Sequence, residues 1–196
     1  MKFYQDITLI PDAETPIGFI WYKVFQQVHI GLADNKLPDG SSAIAVSFPE
    51  YKKVAFPLGN QLRLFAETEE QLKQFNTEQW LSRLQDYSHV KSIRNIPEVS
   101  KHACFRRKAV KSPEKKAALL AKHLKKPLSE VLQYRKKHEL FKECDLPYIY
   151  MESQQKIDTG GKNRFRLFVE QTFTDNSIKG QFDCYGLSKT ATTPWF

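Results

Sequence analysis

At Thr15 and Pro16 the spacing of the apolar residues changes from a period of two to steps of three and four, and this switch constrains the fold more than any other feature of the chain. Ahead of it, Lys2 to Ile10 alternates as a half-buried strand does. Phe3, Ile7 and Leu9 lie on one side, Tyr4, Asp6 and Thr8 lie on the other, and Pro11 ends the run. Beyond the switch, Ile17, Ile20, Trp21, Val24, Val28 and Leu32 make one face of a helix, with Pro16 suited to its start and Gly31 to its end. A polar turn from Asn35 to Ser42 follows. Ala43 to Phe48, stopped by Pro49, then reads as a short buried strand, and Gln61 to Ala66 as another.

Thr68 followed by Gln71 is a capping-box spacing, in which the hydroxyl takes a backbone N–H of the first turn and the amide reaches back. A second helix therefore begins there, with Leu72, Phe75, Trp80, Leu81 and Leu84 inward and a break near Asn76 and Thr77. Tyr87 to Ile96 is strand-like. The order βαββαβ is the ferredoxin-like split arrangement, so the expected fold is α+β with an N-terminal ferredoxin-like domain over residues 1–96. That fold hosts many functions and narrows this one only slightly.

Residues 97–196 are expected to form a C-terminal α+β domain with a basic helix and a small antiparallel sheet. His102 to Val110 reads as a strand carrying Arg106, Arg107 and Lys108. Ser112-Pro113-Glu114 marks a helix start: a capping hydroxyl, a proline at the first helical position and a carboxylate at the positive end of the dipole. In that helix Ala117, Leu120, Ala121 and Leu124 form an apolar stripe. Lys115, Lys122 and Lys126 form a basic one, with Lys116 and His123 beside it. A further helix from Ser129 to about Cys144 adds Arg135, Lys136 and Lys137. Strands are expected at Tyr148 to Glu152, Arg164 to Gln171 and Gln181 to Tyr185.

The charge is as uneven as the pattern. Lys and Arg outnumber Asp and Glu by 14 to 3 between Lys101 and Lys142, against 10 to 12 before it and 6 to 7 after it, within an overall +8. A local field of one sign suits a polyanion, nucleic acid before anionic membrane. The apolar stripe beside it is narrow and Ala-rich, which argues against a membrane surface. No run of about 18 apolar residues is present, and Lys2 and Asp6 stand where a signal peptide is uncharged, so a cytoplasmic protein is expected. Cys104, Cys144 and Cys184 come without a CxxC or a nearby Cys/His pair, which predicts reduced thiols and no structural zinc.

No GxxxxGK[ST], GxGxxG or HExxH is present, nor a cluster of acids for two metal ions. A nuclease of this composition is expected to work without metal or cofactor. RNA allows that, because its 2′-hydroxyl can attack the adjacent phosphorus once a base takes its proton, and a neutral histidine has a suitable pKa. His102, His123 and His138 sit inside the basic stretch, where phosphate contact is the simpler role, and His89 lies near a helix end. His29 differs. It borders the apolar face of the first helix, one residue from Val28 and four from Phe25, where a histidine packed at the margin of the core is the commoner case than a catalytic one.

Cys184-Tyr185-Gly186-Leu187-Ser188-Lys189, closing in Pro194-Trp195-Phe196, resembles the signature of the CRISPR repeat-processing endoribonucleases of type I-F systems. Val46-Ser47-Phe48-Pro49, the helix around His29, and Leu146-Pro147 leading to Glu152-Ser153-Gln154 and Phe165-Arg166-Leu167-Phe168 resemble that family in the same order. The match covers nearly the whole chain. Each motif is short, but their order and spacing together are specific.

The resemblance implies an enzyme that binds the CRISPR repeat RNA hairpin and cuts at the foot of its stem without metal. Cleavage would leave a 2′,3′-cyclic phosphate, and the enzyme would stay on the mature guide RNA as a subunit of a type I-F surveillance complex. By that resemblance His29 is the general base, Ser153 positions the attacking ribose and Tyr185 orients His29. Phe165 would stack on the nucleotide at the cut and Gln154 would contact RNA. Lys115, Lys116, Lys122, His123 and Lys126 would lie along the stem's phosphates. Arg106, Arg107 and Lys108 stand together as base readers, since the family's Arg-x-Gln pair aligns on either Arg106-x-Lys108 or Arg107-x-Ala109. The helix here is rich in lysine where the family uses arginine, and the loop from Gln155 to Arg164 is longer. The competing reading is a subunit that binds the hairpin without cutting it.

Overall fold

The computed structural model describes residues 1–111, 113–138, 144–156 and 162–196. The chain forms two compact units, Met1–Lys108 with Pro147–Phe196, and Ala109–Leu146. The first contains β1 (Phe3–Leu9), α1 (Ile17–Asp34), β2 (Ala45–Ser47), β3 (Gln61–Ala66), α2 (Glu69–Phe75), the single-turn α3 (Thr77–Trp80), a 3-10 turn (Ser82–Leu84), β4 (Ser88–Val90) and β5 (Arg94–Asn95). It continues with β6 (His102–Lys108), β7 (Tyr148–Lys156), β8 (Lys162–Thr174) and β9 (Thr193–Pro194). The second unit holds α4 (Pro113–Leu124) and α5 (Leu128–Lys137).

The larger unit is mixed α+β with two antiparallel sheets. One has the order β2-β3-β1-β4 with β5 also on β1, and the other runs β7-β8-β6-β9. One apolar core spans both. Ile7, Leu62 and Leu64 of the first sheet, Phe105, Met151, Leu167 and Val169 of the second, and Ile20, Trp21, Val24, Phe25, Val28 and Leu32 of α1 all join it. Each such side chain contributes about 1.5–3 kcal/mol on burial, so the stripe on α1 is enough to hold the helix on that core. The Trp21 indole N–H, fully buried, donates to the Gly59 carbonyl at 2.8 Å.

Local signals in the first hundred residues act as their chemistry requires. The Thr68 hydroxyl accepts the Gln71 N–H at 3.3 Å and the Gln71 side chain accepts the Thr68 N–H at 3.1 Å, closing the capping box. Asn76, with φ 51°, ends α2 where the break was expected. Gly31, by contrast, does not end α1. The helix continues to Asp34, and a Cβ at Gly31 would lie 2.8 Å from the Trp80 ring and 2.9 Å from Phe75. The glycine is there for close packing.

A second expectation also fails. Gln181 to Tyr185 is not a strand, because only Phe182 bridges, to Ser42, and Asp183 to Gly186 forms a turn. The closing residues are structural: β9 pairs with β6, Trp195 packs on Phe105 and Phe173, and the Phe196 ring meets Tyr4 edge-on at 5.0 Å. Arg63, ion-paired with buried Asp6 at 2.6 Å, lies over the Phe196 ring and donates to its carbonyl.

In the smaller unit Ala117 and Ala121 of α4 pack on Val131 of α5, flanked by Leu120 and Leu132. Leu124, expected in the buried stripe, is 50% exposed. The chain turns away at Lys125, whose φ is 53°, and the Lys126 N–H closes back on the Ala121 carbonyl in a Schellman-type end. Helix α5 ends at Lys137, short of the expected Cys144; Ser112 and residues 139–143 lie outside the described residues.

Candidate active site

His29, near the C-terminal end of α1, meets a loop more than 150 residues away in sequence. Its Nδ1 lies 2.8 Å from the Cys184 carbonyl oxygen. A carbonyl only accepts, so Nδ1 carries the proton and the neutral ring keeps its lone pair on Nε2. Burial pushes the His29 pKa below its ordinary 6.5; the Cys184 carbonyl and the Asp183 carboxylate act upward, and the Arg107 guanidinium adds to the lowering. The Tyr185 ring stacks on the imidazole, centroid to centroid 4.0 Å and 5° from parallel. Burial raises the Tyr185 pKa, so the phenol stays neutral.

The loop is built to present that carbonyl. Asp183 Oδ1 accepts the N–H groups of Tyr185 at 2.9 Å and Leu187 at 3.0 Å, and the Gly186 N–H donates to the Asp183 carbonyl at 2.8 Å. Gly186 has φ +69°, and a Cβ there would lie 2.4 Å from Val46 Cγ2, so only glycine allows this approach. Its carbonyl accepts the Val46 N–H at 2.8 Å, while the Ser188 N–H donates to Phe105. Strands β2 and β6 thus fix the loop, and two of the motifs first noted in the sequence meet here.

Strand alternation separates the three basic residues of β6. Arg106 and Lys108 both ion-pair with Glu170 of β8. Arg107 points to the other face, its guanidinium carbon 5.3 Å from the Tyr185 ring centroid and 5.5 Å from that of Phe165. Phe165 is partly buried against the core and pairs with Met151 across the β7–β8 ladder. Ser153, half-buried, follows Glu152 at the point where the ladder's register shifts. The side chain of Gln154 lies outside the described residues.

On α4, Lys115, Lys116, Lys122 and His123 are exposed. At about 100° per residue Lys115 and Lys122 share one column, with Lys116 and His123 in a second column about 100° away, both turned from Ala117 and Ala121. Lys126 is exposed and ion-pairs with Glu130. Among the described residues no group of three or more His, Cys, Asp or Glu could hold a metal ion, and no helix is long and apolar enough to cross a membrane.

Sequence reasoning missed Asp183 and the Cys184 carbonyl. The available signal was Asp183 followed three residues later by Gly186, the ends of a type I turn spacing, inside a segment read as a strand.

A family model described as "CRISPR-associated protein (Cas_Csy4)" matches residues 4–196. The chain is 31% identical over 201 residues, covering all of both chains, to the CRISPR-associated endonuclease Cas6/Csy4 of Pseudomonas aeruginosa (strain UCBPP-PA14). It is 29% identical over 199 residues, again covering both chains fully, to the protein of the same name from Escherichia coli (strain UTI89 / UPEC). A solved structure described as "An RAMP protein binding different RNA substrates" aligns with 98% of this chain and 100% of its own at 11% identity, with a TM-score of 0.32.

Proposed function

This chain belongs to the Csy4 family of CRISPR-associated proteins, and we propose that it is the endoribonuclease that processes CRISPR repeat RNA, cutting at the foot of the repeat hairpin. The observation that carries the mechanism is the 2.8 Å contact between His29 Nδ1 and the Cys184 carbonyl oxygen. With Nδ1–H held by Cys184 and the pKa lowered, the ring is neutral near pH 7 and Nε2 is available to take a proton. In the proposed reaction Nε2 removes the proton of the 2′-hydroxyl and the 2′-oxygen attacks the adjacent phosphorus. The 5′-oxygen departs and takes up a proton. The products are a 2′,3′-cyclic phosphate and a 5′-hydroxyl, and no metal is required.

Ser153 positions the attacking ribose and Tyr185 holds the imidazole plane by stacking. Phe165 offers its ring to the nucleotide at the cut and Gln154 contacts the RNA. Of the three basic residues on β6, Arg107 serves the cleavage centre, while Arg106 and Lys108, shared with Glu170, serve the other face. The two columns on α4, with Lys126, hold stem phosphates by charge. We read residues 1–96 as a ferredoxin-like domain, a reading supported by the βαββαβ order and by β1 lying between β3 and β4. The protein is cytoplasmic in this reading, keeps the guide RNA after cleavage and acts as a subunit of a type I-F surveillance complex.

The test is incubation of labelled repeat RNA with the protein in excess chelator, with both new ends mapped. Undiminished cutting to a cyclic phosphate and a 5′-hydroxyl is expected. Loss of cutting in chelator overturns the mechanism, and tight binding without cutting under any condition leaves the non-cleaving subunit as the better reading.

A further inference from the structure

We propose that Gln26 is a positioning residue that holds Ser153 in place relative to His29; the inference rests on the roles given to those two residues above. Gln26 lies three residues before His29 on α1, about 4.5 Å back along the helix axis. It is only 7% exposed, and its carboxamide is spent on one residue of β7: Nε2 donates to the Glu152 carbonyl at 3.2 Å and Oε1 accepts the Glu152 N–H at 2.9 Å. That two-way exchange is what a neighbouring strand residue supplies in a ladder. Among the described residues β7 is an edge strand, with β8 alone beside it, so a helix side chain here substitutes for the missing strand.

The position of the clamp matters because the ladder fails just beyond it. The β7–β8 register is regular through the Glu152–Arg164 pair and is next found at Lys156 with Lys162. Ser153 directly follows the Glu152–Arg164 pair, where the register shifts. The backbone of Glu152, next to it, is held by Gln26 on the α1 side and by pairing with Arg164 on the other. The Glu152 carboxylate also takes the Arg164 Nε–H at 2.9 Å. Because His29 rides on the same helix as Gln26, the clamp sets the distance between base and serine directly, not through the core. A misplacement of about 1 Å between reacting groups can cost about 10²-fold in rate.

Gln26→Met keeps the side chain's length and apolar packing and removes both hydrogen bonds. Gln26→Glu keeps the acceptor and loses the donor. Single-turnover cleavage of repeat hairpin RNA is expected to slow about 10- to 100-fold in Gln26→Met and by less in Gln26→Glu, with hairpin affinity within about twofold of the parent. The midpoint of the rate's pH profile should not move, since the imidazole keeps its surroundings; a displaced His29 would shift it. In a Ser153→Ala background the Met substitution should add less than about twofold, because the two act as one unit. Parental cleavage by Gln26→Met, a shifted pH midpoint, or full additivity with Ser153→Ala overturns the proposal. If Ser153→Ala alone cleaves at the parental rate, the role given to Ser153 is wrong, and the clamp proposal falls with it for that separate reason.

Discussion

The His29 centre and the α4–α5 hairpin are built by opposite means. In the hairpin, everything that matters comes from within a span of about thirty residues: a stripe of alanines on one side, lysines on the other, and a helix end closed between Ala121 and Lys126. At His29 the imidazole, its carbonyl partner and the arginine beside it come from α1, the Asp183–Gly186 turn and β6. A charged surface needs only sign and density, so a short helical pair with a small core is enough to carry it. The imidazole is held by one hydrogen bond and one stacked ring, and its helix packs on the larger core.

The largest test of this contrast removes the base. His29→Ala should slow cleavage by about 10³-fold or more while leaving hairpin affinity within about twofold, because a general base acts only on the reaction path. Single-turnover kinetics beside a binding titration checks it; an equal fall in affinity would merge the two regions' roles. Next in size, replacing Lys115, Lys122 and Lys126 together should weaken hairpin binding and flatten its salt dependence by about 0.7 to 0.9 log units of slope for each phosphate that is no longer neutralised, with the rate of the saturated complex little changed. An unchanged slope would make the hairpin a solvated face with no part in binding.

The smallest effect is a pH shift. Because burial lowers the His29 pKa, the cleavage rate should rise with pH to a plateau with its midpoint below 6.5. The sign for stability follows from the same shift. Above 6.5 the ring is neutral in both folded and unfolded chains and contributes nothing; as pH falls through 6.5 toward the lower folded value, the unfolded chain binds the proton more readily and stability drops. An NMR titration of the imidazole that placed its pKa at or above 6.5 would contradict both statements.

Much of the fold is legible in the sequence because it depends on near neighbours. The stripe on α1, the capping box at Thr68, the break at Asn76 and the basic columns on α4 all follow from residues a few positions apart. Gly31 shows the limit. A glycine near the end of a helical pattern reads as a stop, and only the Trp80 and Phe75 rings reveal it as a point of close packing. Gln181 to Tyr185 fails in the same way, since its alternation reads as a strand until Val46 is seen to dock on Gly186 and turn the chain.

The family motifs were visible as strings, yet their physical roles divide. Cys184 to Gly186 forms the turn whose carbonyl meets His29, whereas Pro194 to Phe196 packs against β6, Phe105 and Tyr4. Residue order along the chain is enough to dictate the main succession of elements, the segregation of charge into one short stretch and the histidine worth considering. Packing in three dimensions is what sets a carbonyl beside that histidine, the opposite faces taken by Arg107 and its two neighbours, and the contact from Gln26 to Glu152. Each of these is set by a contact between residues dozens to more than 150 positions apart, and no periodicity or propensity along the chain encodes a distance of that kind.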